Sequence, residues 1–259
     1  MSRLFIESTG HGPPLVLLHG WAMHSGIWGP FVAHLARSHR VHAVDLPGHG
    51  YSAPIAPCTL DAIVAAVDAA LDAEARPLTL LGWSFGGLVA MRWAQSRPAR
   101  VNRLALVCTT PKFVAADDCT RAMPAEGLAR FGDELHVAWK LTVQRFLALQ
   151  VHNSEHGRAT LAAIREQLWA RGEPTRSALA AALDVLVATD LRADVPRIAQ
   201  PTLVIAGERD TLTPPGAGRW LAAAIPGARF EEIAGAAHAP FLSHRDEFLV
   251  ALEAFLGAR

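Results

Sequence analysis

The sequence lacks the features that mark several classes of protein. Its 259 residues include three cysteines, Cys58, Cys108 and Cys119, too few and too scattered for a disulfide framework or a cysteine-based zinc site. Its 24 basic residues balance its 24 acidic ones, so nothing favours a general affinity for nucleic acid. No apolar run approaches the roughly 20 residues of a membrane span. We therefore expect neither a nucleic-acid nor a membrane partner.

Two further absences concern location and metal. Between Met1 and Glu7, charged residues appear before an apolar stretch of signal-peptide length can form, so we expect a cytoplasmic protein. The chain has 12 histidines, and His152 and His156 are spaced to share a helix face, but the zinc motif His-Glu-x-x-His is missing. The sequence therefore predicts no metal site and no other cofactor.

Short apolar runs alternate with helical patterns along most of the chain. The residues Leu60, Ile63, Val64, Val67 and Leu71 keep helical spacing. The length suits one α/β domain with an insertion, and the alternation predicts a doubly wound, mostly parallel sheet with helices on both faces. Seven runs are predicted strands: residues 4–8, 15–18, 39–44, 78–81, 103–107, 202–206 and 228–233.

The alternation stops between Pro111 and Asp194. That stretch is helical in character, has no convincing strand and contains turn signals such as Gly172-Glu173-Pro174. It predicts a helical cap, or lid, of residues 111–194 inserted between core strands. The core would then consist of residues 1–110 and 195–259.

The segment Gly-Trp-Ser-Phe-Gly-Gly at residues 82–87 carries the strongest chemical signal. An apolar run precedes it and a helical run follows it, which puts Ser84 at the tip of a strand–turn–helix. This is the nucleophile-elbow pattern of the α/β-hydrolases, in which Gly82 and Gly86 relieve collisions across the turn. A plain glycine-rich turn is the alternative. We expect the α/β-hydrolase fold, with Ser84 as nucleophile.

A serine nucleophile needs a base that a third group orients, and in this fold the chain order is serine, acid, histidine. Asp210 follows a predicted strand, where catalytic groups of parallel sheets lie; Glu208 competes with it, and a turn-capping role is the alternative. His238 lies in a loop of small residues. His244 falls where the last helix should begin and suits a surface or capping role. The prediction is a triad of Ser84, His238 and Asp210.

An oxyanion formed at Ser84 needs two backbone N–H donors. One should be Phe85, at the positive end of the following helix, and the other Trp21, in the loop after an early strand. Both side chains also offer apolar walls for an acyl chain, whereas Trp83 is expected to serve packing. Asp45 and His49 precede the serine, so we interpret the turn Asp-Leu-Pro-Gly-His-Gly at 45–50 as scaffold.

The chain resembles the pimeloyl-[acyl-carrier protein] methyl ester carboxylesterases of biotin synthesis (the BioH family). The serine and histidine motifs recur more loosely across many α/β-hydrolases, whereas Phe-Leu-Ala-Leu-Gln in the predicted cap is far more specific. The resemblance covers nearly the full length. It rests on residues 18–23, Leu-His-Gly-Trp-Ala-Met; 82–88, Gly-Trp-Ser-Phe-Gly-Gly-Leu; 145–150, Arg-Phe-Leu-Ala-Leu-Gln; and 236–244, Ala-Ala-His-Ala-Pro-Phe-Leu-Ser-His.

This resemblance implies a serine esterase that hydrolyses the methyl ester of pimeloyl-acyl-carrier protein and releases methanol. The family often has leucine after the serine, so Phe85 would reshape the acyl pocket here. For the apolar residues of the cap motif, the alternative is the core face of a helix. The implied substrate-site residues are Trp21, Ser84, Phe85, Phe146, Leu147, Ala148, Leu149, Gln150 and His238.

The implied partner, an acyl-carrier protein, is acidic, so its docking surface should be basic. Candidates in the predicted cap are Lys140, Arg145, Arg158 and Arg165. Ordinary solvated helix charge is the alternative, because Glu155 and Glu166 interleave with them. A monomer is expected.

Two other functions remain open at the level of sequence. One is a general short-chain carboxylesterase or carbon–carbon bond hydrolase on the same scaffold. The other is a non-catalytic receptor that keeps the triad as a relic.

Overall fold

The computed structural model describes residues 4–117, 119 and 121–257, so the predicted boundaries at residues 1 and 259 lie outside the described chain, as do positions 118 and 120 of the predicted cap. The described residues form a sheet of seven strands in the order β1-β3-β2-β4-β5-β6-β7. The strands are β1 (Ile6–Thr9), β2 (Pro14–Leu18), β3 (Arg40–Val44), β4 (Leu78–Trp83), β5 (Val101–Val107), β6 (Thr202–Gly207) and β7 (Arg229–Ile233).

All neighbouring strands run parallel except β1, which lies antiparallel to β3 at one edge. Strands β2, β4 and β6 are buried along their whole length. A strand with helices on both faces has no solvated side, so it needs apolar residues at nearly every position. The predicted mostly parallel α/β sheet is confirmed.

Helices cover both faces of this sheet. They are α1 (Gly29–Leu35), α2 (Leu60–Ala70), α3 (Phe85–Ser96), α4 (Ala125–Gln150), α5 (Gly157–Leu168), α6 (Arg176–Ala188), α7 (Pro215–Ala224), α8 (Pro240–Ser243) and α9 (Arg245–Gly257). In α2, the side chain of Thr59 accepts a hydrogen bond from the amide of Ala62 and caps the first turn. None of the described helices combines the length and apolar character needed to cross a membrane.

Helices α4, α5 and α6 lie between β5 and β6, in the stretch predicted to be helical. We call residues 111–194 the insertion. Its described residues contribute no strand to the sheet and pair only through isolated bridges, such as Lys112 with Asp190. Helix α4 bends at Ala138, whose φ of −141° and ψ of 52° are not helical. The bend gives α4 two arms, and residues of both arms face the core across a shared cavity.

Candidate active site

Ser84 occupies a strained turn between β4 and α3. Its φ of 53° and ψ of −116° lie outside the regions that residues with a side chain ordinarily adopt. A Cβ atom on Gly82 would lie 2.4 Å from the carbonyl oxygen of Gly86, and one on Gly86 would lie 2.2 Å from that of Leu18. Only glycine therefore fits at both positions. The two glycines allow the tight turn, and the turn places the serine at its tip, between the end of the strand and the start of the helix.

The carboxylate of Asp210, just after β6, faces the imidazole of His238, and 2.8 Å separates Oδ2 from Nδ1. Its other oxygen accepts hydrogen bonds from the amides of Leu212 and Thr213, both at 2.9 Å. The hydroxyl of Thr213 donates to Oδ2 at 2.7 Å. The buried carboxylate is thus fully hydrogen-bonded, as a charge in the protein interior requires.

These contacts determine the charge of Asp210. Burial alone would raise its pKa, but the neighbouring His238 and the hydrogen bonds from His238 and Thr213 outweigh burial and hold the pKa below its usual range. An ionised Asp210 accepts the Nδ1–H of His238. That leaves Nε2 as the ring atom able to take a proton from a serine hydroxyl.

The structure distinguishes the predicted acid and base from the other acid and the other histidine that were considered in the sequence. Glu208 is exposed and accepts a hydrogen bond from the amide of Gly235 at 2.8 Å, so it braces a turn. His244 follows α8, and its ring centroid lies 5.0 Å from that of His156. Asp210, and not Glu208, is the acid in contact with His238.

Two contacts hold the His238 loop in place. The indole of Trp83 donates to the carbonyl of His238 at 2.7 Å, and the amide of His238 donates to the carbonyl of Gln150 at 3.0 Å. Trp83, expected only to pack, thus positions the histidine through its backbone. Sequence patterns carry no signal for these contacts, because each joins a backbone carbonyl to a residue distant in the chain.

The two predicted oxyanion donors belong to different segments of the fold. Phe85 is the first residue of α3, where an amide has no acceptor within its own helix and the helix dipole is positive. Trp21 lies in the loop after β2, and its indole donates to the carbonyl of Leu179 in α6 at 3.0 Å. That bond ties the loop to the insertion.

The loop that carries Trp21 rests on the turn at 45–50. Nδ1 of His19 donates to the carbonyl of Gly20 at 2.8 Å, and Nε2 accepts from the amide of Leu46 at 2.9 Å. Burial and the neighbouring His49 lower the pKa of His19 to about 3, so the ring is neutral and serves as a brace. Asp45 accepts hydrogen bonds from the amides of Ser25 and Tyr51, which links the turn to the loop after β2.

Ser84 and His238 face one cavity of about 200 Å³ between the core and the insertion. Trp21, Phe131 and Phe146 meet edge to face or tilted along its wall, with centroids 5.2 to 5.7 Å apart. Apart from Ser84 and His238 the lining is apolar. It consists of Trp21, Ser84, Phe113, Met123, Gly127, Leu128, Phe131, Phe146, Leu149, Leu183, Leu186, Leu212 and His238.

The predicted substrate residues of α4 divide according to their place on the helix. Phe146 and Leu149 line the cavity. Leu147 is instead buried in the hydrophobic core, and Ala148 is exposed. Successive residues turn by about 100° around a helix, so residues three apart share a face and intervening ones do not. Gln150 is not part of the described lining, but its carbonyl accepts a hydrogen bond from the His238 amide.

The four predicted docking residues are all in the insertion but have different surroundings. Lys140 forms an ion pair with Glu173 at 2.6 Å, and Arg145 forms one with Glu134 at 3.3 Å. Arg158 and Arg165 are exposed on α5. They are seven positions apart, which puts both on one face of the helix.

Comparison with known proteins agrees with this geometry. A family model for the alpha/beta hydrolase fold matches residues 13–245. An esterase from Exiguobacterium antarcticum superposes with a TM-score of 0.91, covering 99% of this chain and 96% of that one; at 21% identity this likeness shows the fold alone. The fold and the serine turn define an α/β-hydrolase.

Relatives with higher sequence identity narrow this class. The pimeloyl-[acyl-carrier protein] methyl ester esterase of Xanthomonas axonopodis pv. citri is 46% identical, with 98% of this chain and 99% of the relative covered. The enzyme of the same name from Nitrosomonas europaea is 41% identical, covering 98% and 100%. The chain belongs to this family, and the resemblance inferred from its motifs is confirmed.

Proposed function

We propose that this protein is a serine esterase of biotin synthesis that hydrolyses the methyl ester of pimeloyl-acyl-carrier protein. The observation that supports this most directly is the buried His238, which is hydrogen-bonded to Asp210 and lines the same apolar cavity as Ser84. Relatives that match nearly the whole of this chain bear the name of this activity.

In the proposed acylation step, the hydroxyl oxygen of Ser84 attacks the ester carbonyl while Nε2 of His238 accepts its proton. Asp210 keeps the imidazole in the required tautomer and stabilises its positive charge. The negative charge on the carbonyl oxygen is stabilised by the amides of Trp21 and Phe85.

The tetrahedral intermediate then collapses. His238 gives its proton to the methoxide oxygen, methanol leaves, and the acyl group remains as an ester on Ser84. Water attacks this ester, with His238 accepting one of its protons and returning it to the serine oxygen. The products are the free carboxylate, methanol and unchanged enzyme.

We propose further that the insertion is a lid and that its cavity binds the acyl chain. The walls formed by Trp21, Phe131, Phe146 and Leu149 suit a row of methylenes, each worth about 0.8 kcal/mol when buried. Because Lys140 and Arg145 pair with neighbouring carboxylates, the exposed Arg158 and Arg165 on α5 are the better candidates to meet the acidic carrier protein.

The test measures methanol release from pimeloyl-acyl-carrier-protein methyl ester by the purified protein. Ser84→Ala should lower kcat by at least about 10⁴-fold, the scale seen when a nucleophile is removed from such a triad. Ser96→Ala, at an exposed serine ending α3, is the matched control and should retain full activity. Salt should lower kcat/KM for the carrier-bound ester, because it screens a charged docking surface.

Three outcomes would contradict parts of the proposal. Turnover of small esters with none of the carrier-bound ester would leave a general carboxylesterase. Ligand binding without turnover of any ester would favour a receptor. Equal salt dependence for carrier-bound and free methyl esters would remove the docking role of the arginines.

A further inference from the structure

Three side chains of types that can bind a metal meet where the insertion contacts the core, outside the lining of the Ser84 cavity. Glu155 and His156 lie in the turn between α4 and α5, and His244 lies between α8 and α9. One ligand atom from each residue lies within 4.8 Å of the other two. The spacing in the sequence would place His156 and His152 on the same face of a helix. In the fold, the ring of His156 instead lies beside the ring of His244.

The hydrogen bonds of His244 determine which of its nitrogens is free. The hydroxyl of Ser243 donates to the carbonyl of Ala239 at 3.2 Å, so at its 2.9 Å contact with Nδ1 of His244 it acts as acceptor. Nδ1 therefore carries the proton and Nε2 has a lone pair. His244 is 7% exposed, and its Nε2 is buried without a hydrogen-bond partner among the described residues. An unpaired buried nitrogen is costly unless a ligand satisfies it.

We propose that Glu155, His156 and His244 form a Zn²⁺ site that fastens the insertion to the core. Two imidazoles and one carboxylate are a common set of protein ligands for zinc, with water in the fourth position. Ligand atoms of tetrahedral zinc lie about 3.4 Å apart, given bonds of about 2.0 to 2.1 Å. Glu155 and His156 are exposed, so their side chains can rotate to bring the ligand atoms from within 4.8 Å of one another to the spacing that zinc requires.

Neighbouring groups support the proposed ligands. Ser243 orients the ring of His244, as outer-shell partners of metal-bound histidines do. Arg209 binds Oε1 of Glu155 at 2.9 Å and leaves Oε2 for the metal.

The position of the site gives it a structural consequence. The amide of Glu155 donates to the carbonyl of Gly235 at 3.1 Å, and Arg209 donates to the carbonyl of Asn153 at 3.2 Å. Gly235 belongs to the loop that carries His238. A metal here would restrain both the turn at 151–156 and that loop.

The test is a calorimetric titration of metal-free protein with Zn²⁺, supported by the d–d absorption of Co²⁺ as a probe of the ligand set. We expect one site per chain. His156→Ala and Glu155→Gln should each weaken binding by more than about 100-fold, beyond the 10- to 100-fold typical of outer-shell partners. His152→Ala, at an exposed histidine in the same turn, is the matched control and should bind as the wild type does.

Thermal unfolding supplies a second readout. Zn²⁺ at about 100 times its Kd should raise Tm by about 5 °C or more in the wild type and leave His156→Ala unchanged. Absence of binding, undiminished binding by His156→Ala, or loss in His152→Ala would each overturn the site. Neither readout uses esterase activity, so the metal site and the proposed function fail or stand separately.

Discussion

At the residue scale, backbone strain and burial set the side chains of the candidate site apart from ordinary ones. Ser84 is held at a positive φ that its glycine neighbours permit. Asp210 is buried but ionised, because both of its oxygens accept hydrogen bonds and His238 lies beside it. We therefore expect the proposed activity to need the charge of Asp210 as well as its shape.

Asp210→Asn tests that need. The amide keeps the size of the carboxylate but removes the charge and favours the wrong tautomer of His238, so kcat should fall by about 10⁴-fold with little change in KM. Steady-state kinetics on a soluble methyl ester measures this. Glu208→Gln, which alters the other candidate acid, should change kcat less than about threefold. A comparable loss in both variants would contradict the assignment.

At the scale of elements, the insertion is attached to the core on both sides of the serine. On one side, the guanidinium of Arg171, between α5 and α6, reaches the hydroxyl of Ser25 at 2.6 Å and Asp45 at 3.3 Å. It also lies over the ring of Phe5 at 4.8 Å. On the other side, Gln150 accepts from the amide of His238. The loops that carry Trp21 and His238 are thus both held by the insertion.

Arg171→Met should show how much that attachment contributes to the free energy of unfolding. Asp45 is fully buried, and the variant leaves its charge without a cation, so the free energy of unfolding should fall by about 3 kcal/mol. Urea denaturation measures the loss. Arg145→Met breaks an exposed ion pair with Glu134 and should cost at most about 1 kcal/mol. Equal effects of the two changes would show that Arg171 is only a surface contact.

At the scale of the whole molecule, buried histidines make stability depend on pH. His19 and His49 lie edge to face with centroids 5.3 Å apart. Burial lowers the pKa of His49 to about 4, and burial together with His49 lowers that of His19 to about 3. In the unfolded chain both rings take up protons near pH 6.5. Below that pH the unfolded state binds more protons than the folded one, so stability falls as pH falls towards 4 and is unaffected above about 7.

His49→Gln should reduce the slope with which the free energy of unfolding falls as the pH is lowered. Each histidine that stays neutral in the folded state contributes roughly 1 kcal/mol per pH unit to the slope, so removing one should reduce the slope between pH 6 and 4.5 by that amount. Urea unfolding at a series of pH values measures it. His11→Gln, at an exposed histidine, is the control and should keep the wild-type slope. An unchanged slope in His49→Gln would mean that this ring is not neutral in the acid range.

Much of this molecule is determined by the sequence alone, because some physical constraints act over few residues. Alternating apolar runs and helical spacing set the strands and helices. Glycines at 82 and 86 permit the turn at Ser84, and the order of Ser84, Asp210 and His238 along the chain follows from the strand ends on which they lie.

Only the tertiary structure decided which distant groups meet. It placed Asp210, rather than Glu208, in contact with His238. It placed Leu149, but not Leu147, in the lining of the cavity. It also placed the indole of Trp83 where it donates to the backbone carbonyl of His238. Such contacts join residues far apart in the chain and often use backbone atoms, which every residue carries. No local pattern encodes them, because they depend on how the whole sheet and the insertion pack together.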